Sequence, residues 1–395
     1  MRFKLKYYIC FLIYFFVSCY YLVKPPKFIE APKITVAVLW DIDTIYLTSA
    51  KPYSVISRGK AIALDANQQL LVIYSRDTIF VYKSPKQKLL ASGEKIIFES
   101  PEKISIGKDQ RNLTAYHRRI IISKDIAHRF PTKYHLTAIN ILPLEQYLYG
   151  VVSCEIGIAN EQELEAVKAQ AVCARSYAMS LLGKKKDFDV YGSYLYDQEY
   201  QGADREYSLA IRGVHATTGE VMTYHDEVIL AQYHACCGGR TTDGRFSYLR
   251  AIVDAPYHSS RAKPYCHKAP YFQWVEKFSL KDFQDSILKL AGIKYKFTFD
   301  IKLDINKRTK RVEHLKFIAD KEYKLTGETI RKAFNLKSTF FNIQTTKDSV
   351  IINGHGWGHG IGLCQYGALE MARQKISYKN ILKHYYHNIK IAKIY

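Results

Sequence analysis

The feature that most constrains this chain is a run of alternating glycines near its C-terminus. In the segment NGHGWGHGIGLCQYGA, residues 353–368, glycine occupies every second position from 354 to 362. Each glycine costs about 1 kcal/mol relative to alanine in a helix interior, so the run cannot form a stable helix. In an extended chain the glycines would share one bare face that another group can approach closely, while His355, Trp357 and His359 would line the opposite face.

The two histidines of this run allow three kinds of site. A metal site would need a third ligand, and the neighbouring Cys364 lacks the spacing of any familiar zinc site. A nucleophilic site would need a serine or cysteine on a tight turn, and no G-x-S-x-G turn accompanies the histidines. Trp357, with Gln365 and Tyr366, instead suits a sugar or a peptide, because such ligands bind by stacking and by several hydrogen bonds.

Composition and charge define the class of protein. The chain has 395 residues, of which 48% are hydrophobic and 14% aromatic, enough for one large core or two medium cores. Its net charge of +21 favours polyanions such as nucleic acid, acidic lipid headgroups or acidic cell-wall polymers. Because it has neither a block of like charge nor an RNA-binding aromatic motif, we expect no specific nucleic-acid partner.

The N-terminus predicts export. Arg2, Lys4 and Lys6 precede an uncharged stretch over residues 7–23, about the minimum length for a membrane span. We interpret residues 1–23 as a signal peptide or signal anchor that contacts the membrane, and residues 24–33 as a linker. Outside the cytoplasm a disulfide is possible, for which the candidate pairs are Cys154–Cys173 and Cys236–Cys266.

The hydrophobic pattern predicts an α+β fold rich in β-structure. Residues 34–142 alternate apolar and polar side chains in short runs rich in Ile, Val, Tyr and Phe, which is typical of strands. From Glu161 the apolar residues recur every three or four positions, which predicts an amphipathic helix that stops at Gly183. Two further helices are predicted within residues 279–292 and 366–375, and short strands and loops elsewhere.

Several blocks between about residue 113 and Tyr395 follow one another in an order that resembles the SpoIID/LytB family of bacterial cell-wall proteins. The blocks are INILPLEQYLYGVVSCEIG, EAVKAQAVCARSYAMS, DQEYQG, ILAQYHACCGGRTTD, GETIRKAFNLKSTFF, GHGWGHGIGLCQYGALEMA and ILKHYYHNIKI. The resemblance implies a family domain over residues 108–395, with helices lining a glycan-binding groove. Residues 34–107 resemble the β-rich N-terminal extension of longer members.

The resemblance implies a lytic transglycosylase acting on peptidoglycan glycan strands, in studied members on strands without stem peptides. By position, the family's essential glutamate corresponds to Glu155, in a block resembling the family's strand leading to that glutamate. Desolvation by Val151, Val152 and Ile156 is expected to raise the pKa of this carboxyl and keep it protonated near neutrality as a general acid. It would then take the proton of the muramic acid C6 hydroxyl, so that a 1,6-anhydro end forms without water. From the residues alone, Glu155 is one surface acid among many and Glu145 is a rival.

The resemblance also implies a set of substrate-binding residues. A guanidinium such as that of Arg175 suits the lactyl carboxylate of muramic acid, and Lys168 lies two helical turns away on nearly the same side. Tyr200 is expected to stack on sugar. His355 and His359 are expected to be groove-shaping hydrogen-bond donors, with the equal alternative that one of them is a core histidine bonded to the backbone. The full set is Lys168, Gln170, Arg175, Tyr177, Gln198, Tyr200, Tyr233, His355, His359, Gln365 and Tyr366.

The chain departs from the family at a structural zinc that some members are thought to carry. In those members the histidine corresponding to His234 is joined by cysteines six and twelve residues later, positions that here are Arg240 and Phe246. We therefore expect no cofactor. A different zinc site is conceivable, because the residue types suit zinc, but buried thiols or a disulfide are preferred. Its candidate residues are His234, Cys236, Cys237 and Cys266.

Other classes of function remain open. A non-catalytic glycan-binding module that stimulates a cell-wall amidase partner would use the same groove. An electrostatic anchor on anionic polymers would follow from the charge of +21. A hydrolase would need a second carboxylate, such as Asp197 or Glu199. All of these functions place the protein in the bacterial cell envelope.

Overall fold

The computed structural model of the chain describes residues 29–84, 88–124, 126, 128, 130–157, 159–293, 300–319 and 321–395. The strands are β1 (Lys33–Ile42), β2 (Thr44–Thr48), β3 (Tyr53–Ser57), β4 (Lys60–Leu64), β5 (Leu70–Ser75), β6 (Thr78–Lys83), β7 (Lys88–Gly93), β8 (Lys95–Asp109), β9 (Asn112–Ser123), β10 (Leu136–Pro143), β11 (Val190–Tyr191), β12 (Glu220–Tyr224), β13 (Glu227–Val228), β14 (Tyr233–His234), β15 (Gln273–Ser279), β16 (Ile301–Ile305), β17 (Val312–Ile318), β18 (Glu322–Thr326), β19 (Phe341–Thr345), β20 (Ser349–His355), β21 (Leu363–Cys364) and β22 (Lys390–Lys393). The helices are α1 (Leu144–Glu155), α2 (Leu164–Leu181), α3 (Ser208–Ala216), α4 (Leu280–Ala291), α5 (Gly327–Ala333), α6 (Gln365–Arg373) and α7 (Tyr378–Tyr385).

The N-terminal third forms one large sheet, as the alternating pattern predicts. Its order is β11-β1-β10-β9-β8-β2-β5-β6-β7, with β3 pairing β8 and β4. Neighbouring strands run antiparallel except β11, the edge strand, which pairs with β1 in parallel. Strands such as β5 and β6 bury alternate residues, so one face of the sheet packs on the main core. The predicted boundary between residues 107 and 108 falls inside β8, and the sheet lies on both sides of it.

The helices that position the candidate site surround α2. This helix contacts α1, α3, α6 and α7. It begins after a capping box in which Asn160 and Glu163 satisfy each other's backbone N–H groups, and it ends before Gly183, which has a left-handed φ of 69°. Eleven of its residues from Ala166 to Ala178 are fully buried, so α2 forms the centre of the main core.

A second hydrophobic core lies between Trp274 and Ile352 in the sequence. It contains Phe283, Phe317 and Ile330 and is built from α4, α5 and two three-stranded sheets. The sheets have the orders β15-β20-β19 and β16-β17-β18. The sequence analysis did not separate this unit from the rest of the C-terminal region.

The predicted α+β class is confirmed. The three predicted helices are also confirmed and correspond to α2, α4 and α6. The sequence did not predict helices α1, α3, α5 and α7. Helix α1 occupies the segment in which we expected a strand leading to Glu155. Residues 1–28, which include the predicted signal segment and half of the predicted linker, lie outside the described residues. Within the described part of the chain, no helix is long and apolar enough to cross a membrane.

The glycine run is extended only in its first part. Strand β20 ends at His355, and every glycine from position 356 to 362 has a φ between 70° and 105°, which glycine alone adopts readily. The prediction of a continuous extended segment is therefore wrong beyond His355. Close approach is confirmed, because a Cβ on Gly360 would lie 2.1 Å from the Arg311 guanidinium and one on Gly362 would lie 2.0 Å from the Gln232 carbonyl oxygen. The groups that pack against these glycines, Arg311 and Gln232, are therefore parts of the same chain.

Candidate functional site

Glu155 is the last residue of α1, and the sequence explains why the helix stops there. Gly157 follows two positions later with a left-handed φ of 70°, a common way to end a helix. Val151, Val152 and Ile156 are buried beside Glu155, whose own side chain is partly buried. The negative end of the helix dipole faces a carboxyl in this position and disfavours its ionised form.

Three neutral groups donate hydrogen bonds to the Glu155 carboxyl. The backbone N–H of Glu199 donates to Oε1 at 2.8 Å, and Nε2 of Gln365 donates to Oε2 at 3.5 Å. The Tyr233 hydroxyl supplies the third hydrogen bond. Within the described residues no lysine or arginine forms an ion pair with this carboxyl, which therefore depends on neutral donors alone.

Burial sets the protonation of Glu155. Desolvation raises its pKa from 4.5 to about 7, against the hydrogen bonds from Glu199, Tyr233 and Gln365, which lower it. The Glu199 carboxylate, a nearby like charge, raises the pKa further. Near neutrality the group can therefore give a proton in one step and take one back in the next.

The Tyr233 hydroxyl is oriented by a chain of buried side chains. Tyr147 donates to Oε1 of Gln198 at 3.3 Å, which fixes the orientation of the amide, and Nε2 of Gln198 donates to the Tyr233 oxygen at 2.9 Å. Because that oxygen accepts from Gln198, its own proton is available to Glu155. On the other side, Gln170 accepts from Nε2 of Gln365 at 3.4 Å. Gln170 and Gln198 are fully buried, so both lie behind the site and support it.

The structure places Arg175 in the interior of the protein. Its guanidinium is fully buried and binds Glu145 in a bidentate ion pair at 2.7 and 2.8 Å. The remaining N–H groups donate to backbone oxygens of Val214 and Glu220 and to the Thr217 hydroxyl. With its donors engaged, Arg175 has no group left for a lactyl carboxylate. Glu145, the rival acid, is committed to this pair.

Three more expected binding residues have internal partners. Lys168 forms an ion pair with Glu165 at 2.6 Å. It therefore does not bind a common ligand together with the buried Arg175, as the sequence had suggested. The Tyr177 hydroxyl donates to Asp197 at 3.3 Å. Tyr200 is 2% exposed, which leaves its ring no surface on which a sugar could stack.

The two histidines of the glycine run have the environment of core histidines. Nε2 of His359 donates to the Tyr233 backbone oxygen at 2.9 Å, and Nδ1 accepts from the Ile361 N–H at 3.0 Å, so the ring is neutral with both nitrogens satisfied. Burial lowers the pKa of His359 to about 4. The His355 ring packs against those of Phe272 and Phe340. His359 thus supports the backbone at Tyr233, and the geometry favours the core interpretation of both.

Several aromatic side chains are exposed on the surface, and the sequence predicted only some of them as binding residues. Trp357 is 43% exposed and meets the exposed Tyr271 edge to face at 4.9 Å. Tyr366, next to Gln365 in the chain, is half-buried. Tyr194 and Leu195 are 70% and 68% exposed, and the Tyr194 N–H donates to the Glu199 carboxylate at 3.0 Å. Sequence reasoning missed Tyr194, Leu195 and Tyr271, although the cluster SYLYDQEY carries a signal in its closely spaced aromatic residues.

The two candidate second carboxylates differ. Asp197 is 1% exposed and bound by Lys185 and the Tyr191 N–H, so it cannot act as a nucleophile. Glu199 is partly exposed and its backbone N–H contacts Glu155, so it is the remaining candidate for a second carboxylate. A cavity of about 610 Å³ lies on the large sheet beside Tyr53 and Arg118, and Glu155 is not among its lining residues.

The residues present do not fit the zinc that the family resemblance implies. Arg240 and Phe246 stand at the two cysteine positions, and the Phe246 ring stacks on Tyr248 at 5.3 Å. Nδ1 of His234 donates to the Ile361 backbone oxygen at 3.1 Å, and its Nε2 has no hydrogen-bond partner in the described structure. None of the six described cysteines forms a disulfide.

Comparison with known proteins agrees with the resemblance found in the sequence. A family model described as "Stage II sporulation protein" matches residues 132–224, which include Glu155, and a domain of unknown function (DUF8618) matches residues 246–362. The chain is 31% identical to stage II sporulation protein D of Bacillus amyloliquefaciens over 268 residues, 64% of this chain and 74% of that protein.

Two further relatives cover different shares of the chain. An uncharacterized protein of Brachyspira hyodysenteriae is 28% identical over 365 residues, 89% of this chain and 93% of the relative. A protein of Bacillus subtilis named amidase enhancer is 26% identical over 294 residues, 60% of this chain and 39% of the relative. From these matches and the site that its central helices build around Glu155, the chain belongs to the stage II sporulation protein D family, SpoIID/LytB.

Proposed function

We propose that this protein is a peptidoglycan lytic transglycosylase that uses Glu155 as its only catalytic acid and base. The observation that carries the proposal is the carboxyl at the end of α1, whose pKa burial raises to about 7 and which, among the described residues, receives hydrogen bonds from neutral groups and forms no ion pair with a cation. Such a group is suited to protonate a leaving oxygen and then to accept a proton.

The proposed reaction balances without water. Glu155 gives its proton to the glycosidic oxygen as the bond from that oxygen to C1 of the muramic acid residue breaks. The C6 hydroxyl of the same residue attacks C1 and returns its proton to Glu155, which leaves a 1,6-anhydro end. Hydrogen bonds from Tyr233, Gln365 and the Glu199 N–H would stabilise the carboxylate between the two transfers.

Substrate contacts in this proposal come from the exposed aromatic rings. Trp357, Tyr271 and Tyr366 supply one group of stacking surfaces, and Tyr194, next to Glu199, supplies another. Arg175, Tyr200 and Gln198 act instead by holding the helices and the Tyr233 hydroxyl in place, because they are buried. An exported protein would meet this substrate in the cell envelope, and the charge of +21 would favour retention on anionic wall polymers.

A second candidate function is suggested by the relative named amidase enhancer. In that case the protein would bind glycan through the same aromatic side chains and stimulate a cell-wall amidase, and no bond would be cleaved by Glu155. The two functions share a surface and differ in their need for a proton donor.

Product analysis separates these functions. The protein and its Glu155→Gln variant are incubated with intact and peptide-stripped glycan strands, and the products are analysed by mass spectrometry. We expect anhydro-muramyl ends from the wild type and none from the variant. Reducing ends would indicate a hydrolase with Glu199 as second carboxylate, and binding without cleavage by either protein would support the amidase-enhancer function.

A further inference from the structure

Four buried cysteines that the proposed reaction does not use converge close to the active-site segments. The Sγ atoms of Cys237 and Cys266 lie 3.4 Å apart, and Sγ of Cys237 lies 3.0 Å from Oδ2 of Asp254. The ligand atoms of Cys237, Asp254, Cys266 and Cys364 all lie within 4.8 Å of one another, and all four residues are buried. Cys236 adjoins this group through the thiols of Cys266 and Cys364.

Three thiols and a carboxyl at these distances have the chemistry and size of a zinc site. Zinc binds sulfur at about 2.3 Å in a tetrahedron, which places two sulfur ligands about 3.8 Å apart. The separation of 3.4 Å between the Cys237 and Cys266 sulfurs is close to that value. Four protein ligands close the coordination shell, which is typical of a structural site rather than a catalytic one.

The carboxyl is already oriented from behind, as ligating carboxylates usually are. Oδ1 of Asp254 accepts from the Tyr385 hydroxyl at 2.8 Å and lies 3.2 Å from Nε2 of His384. Both contacts use the same oxygen, so Oδ2 is left facing the Cys237 thiol. Such supporting hydrogen bonds fix a ligand's position and strengthen metal binding.

Arg311 supplies an independent electrostatic argument. Its side chain is buried, and Nη2 donates to the Cys237 backbone oxygen at 3.3 Å. Its Nε has no hydrogen-bond partner, and no carboxylate in the described ranges pairs with its guanidinium. A buried cation needs a counter-charge. Zinc held by three thiolates and a carboxylate carries a net negative charge, which would compensate Arg311.

We propose that Cys237, Cys266, Cys364 and Asp254 bind a structural zinc ion. The ion would link the two segments that carry Tyr233 and Gln365, the residues whose side chains hydrogen bond to Glu155. Strand β14 pairs in parallel with β21 through Tyr233 with Leu363 and His234 with Cys364, and Cys364 caps the helix α6 whose first residue is Gln365. These ligands differ from the residues at the family's zinc positions, His234, Arg240 and Phe246. The proposal does not depend on the transglycosylase activity.

Metal binding by the full-length chain tests the proposal. The reduced protein is equilibrated with Zn²⁺, freed of excess metal, and measured for metal per chain; Co²⁺ replaces Zn²⁺ in a parallel sample to give an absorption spectrum. We expect one ion per chain and the Co²⁺ spectrum of a tetrahedral site with thiolate ligands. We expect loss of that ion and spectrum in the ligand variants Cys237→Ser, Cys266→Ser and Cys364→Ser. The matched controls Cys154→Ser and Cys173→Ser, which change cysteines outside the group, should keep both.

One further variant keeps the test independent of folding. His384→Ala leaves every ligand in place and removes a contact behind Asp254, so we expect about 10–100-fold weaker Zn²⁺ affinity with one ion still bound at saturation. Wild-type protein that retains no Zn²⁺, or ligand variants that retain as much as the controls, would overturn the proposal. So would mass spectrometry of the alkylated protein that detects a disulfide within the group. Because metal content is the readout, any of these results leaves the glycan-cleavage test unaffected.

Discussion

Helix α1 carries two glutamates, one at each end, and they have opposite environments. Glu145 lies in the first turn, where the helix dipole favours a negative charge, and it forms a bidentate ion pair with the buried Arg175. Glu155 is the last residue, where the dipole disfavours a negative charge, and its hydrogen-bond donors among the described residues are all neutral. The first carboxylate is paired with a cation inside the fold, and the second has the raised pKa that the proposed function requires of a proton donor.

The comparison teaches that a carboxyl's role follows from its partner and its place on the helix. Both glutamates are partly buried. The Arg175 guanidinium offsets the desolvation of Glu145, whereas no cation in the described part of the chain pairs with Glu155, whose pKa rises to about 7. Four predictions test this difference.

The largest expected effect is on catalysis at Glu155. Removing a general acid and base costs about 10²–10⁴-fold in rate, so Glu155→Gln should lose at least that much glycan cleavage while its thermal unfolding midpoint does not fall. Initial rates on peptide-stripped strands give the ratio. The matched change at the other end of the helix, Glu145→Gln, should lower the midpoint instead. An equal fall of the unfolding midpoint in both variants would contradict the proposed difference between the two carboxyls.

The next effect is on stability at the ion pair. Arg175→Met leaves Glu145 without its cation, and breaking a buried pair costs about 3–5 kcal/mol of unfolding free energy. Urea denaturation measures it. The double variant Glu145→Leu with Arg175→Met removes both charges and should recover most of the loss. A double variant no more stable than the single one would mean that packing, and not charge, explains the effect.

The pH dependence of stability should differ between wild type and Glu155→Gln. The folded-state pKa of about 7 lies above 4.5, so the stabilising contribution of the protonated group is complete below 4.5 and is lost as pH rises through about 7. Wild type should therefore lose up to about 3 kcal/mol relative to the variant between acid and alkaline pH. Urea unfolding of both proteins at about pH 5 and about pH 8.5 measures the difference. Parallel curves would place the Glu155 pKa near its ordinary value.

The smallest effect concerns the hydroxyl beside Glu155. Tyr233→Phe removes a hydrogen bond to the charged form, worth about 0.5–1.5 kcal/mol, and should raise the pKa of Glu155 by about half a unit to one unit. The alkaline limb of the cleavage profile would move up by that amount. Tyr147→Phe, one hydrogen bond further away, should move it less. A downward shift in Tyr233→Phe would contradict the assigned role of the hydroxyl.

Local patterns in the sequence were enough to predict much of the fold. The alternation over residues 34–142 predicted the large sheet, and the apolar spacing before Gly183 predicted α2. The same reasoning missed α1, because its Tyr and Val residues have strand propensity and only packing against α2 and α3 favours the helix. It also expected Arg175 and Tyr200 at a surface, since exposure depends on contacts between distant segments.

The sequence by itself determined that the glycine run excludes a helix, that strands dominate the first third, and that Glu155 lies in a block typical of its family. These properties depend on backbone sterics and on the spacing of side chains along the chain. Only the tertiary structure decided which glutamate meets a cation, that the glycines pack against Arg311 and Gln232, and that Cys364 meets Cys237 and Cys266. Burial and charge pairing arise between residues far apart in sequence, so no local pattern contains them.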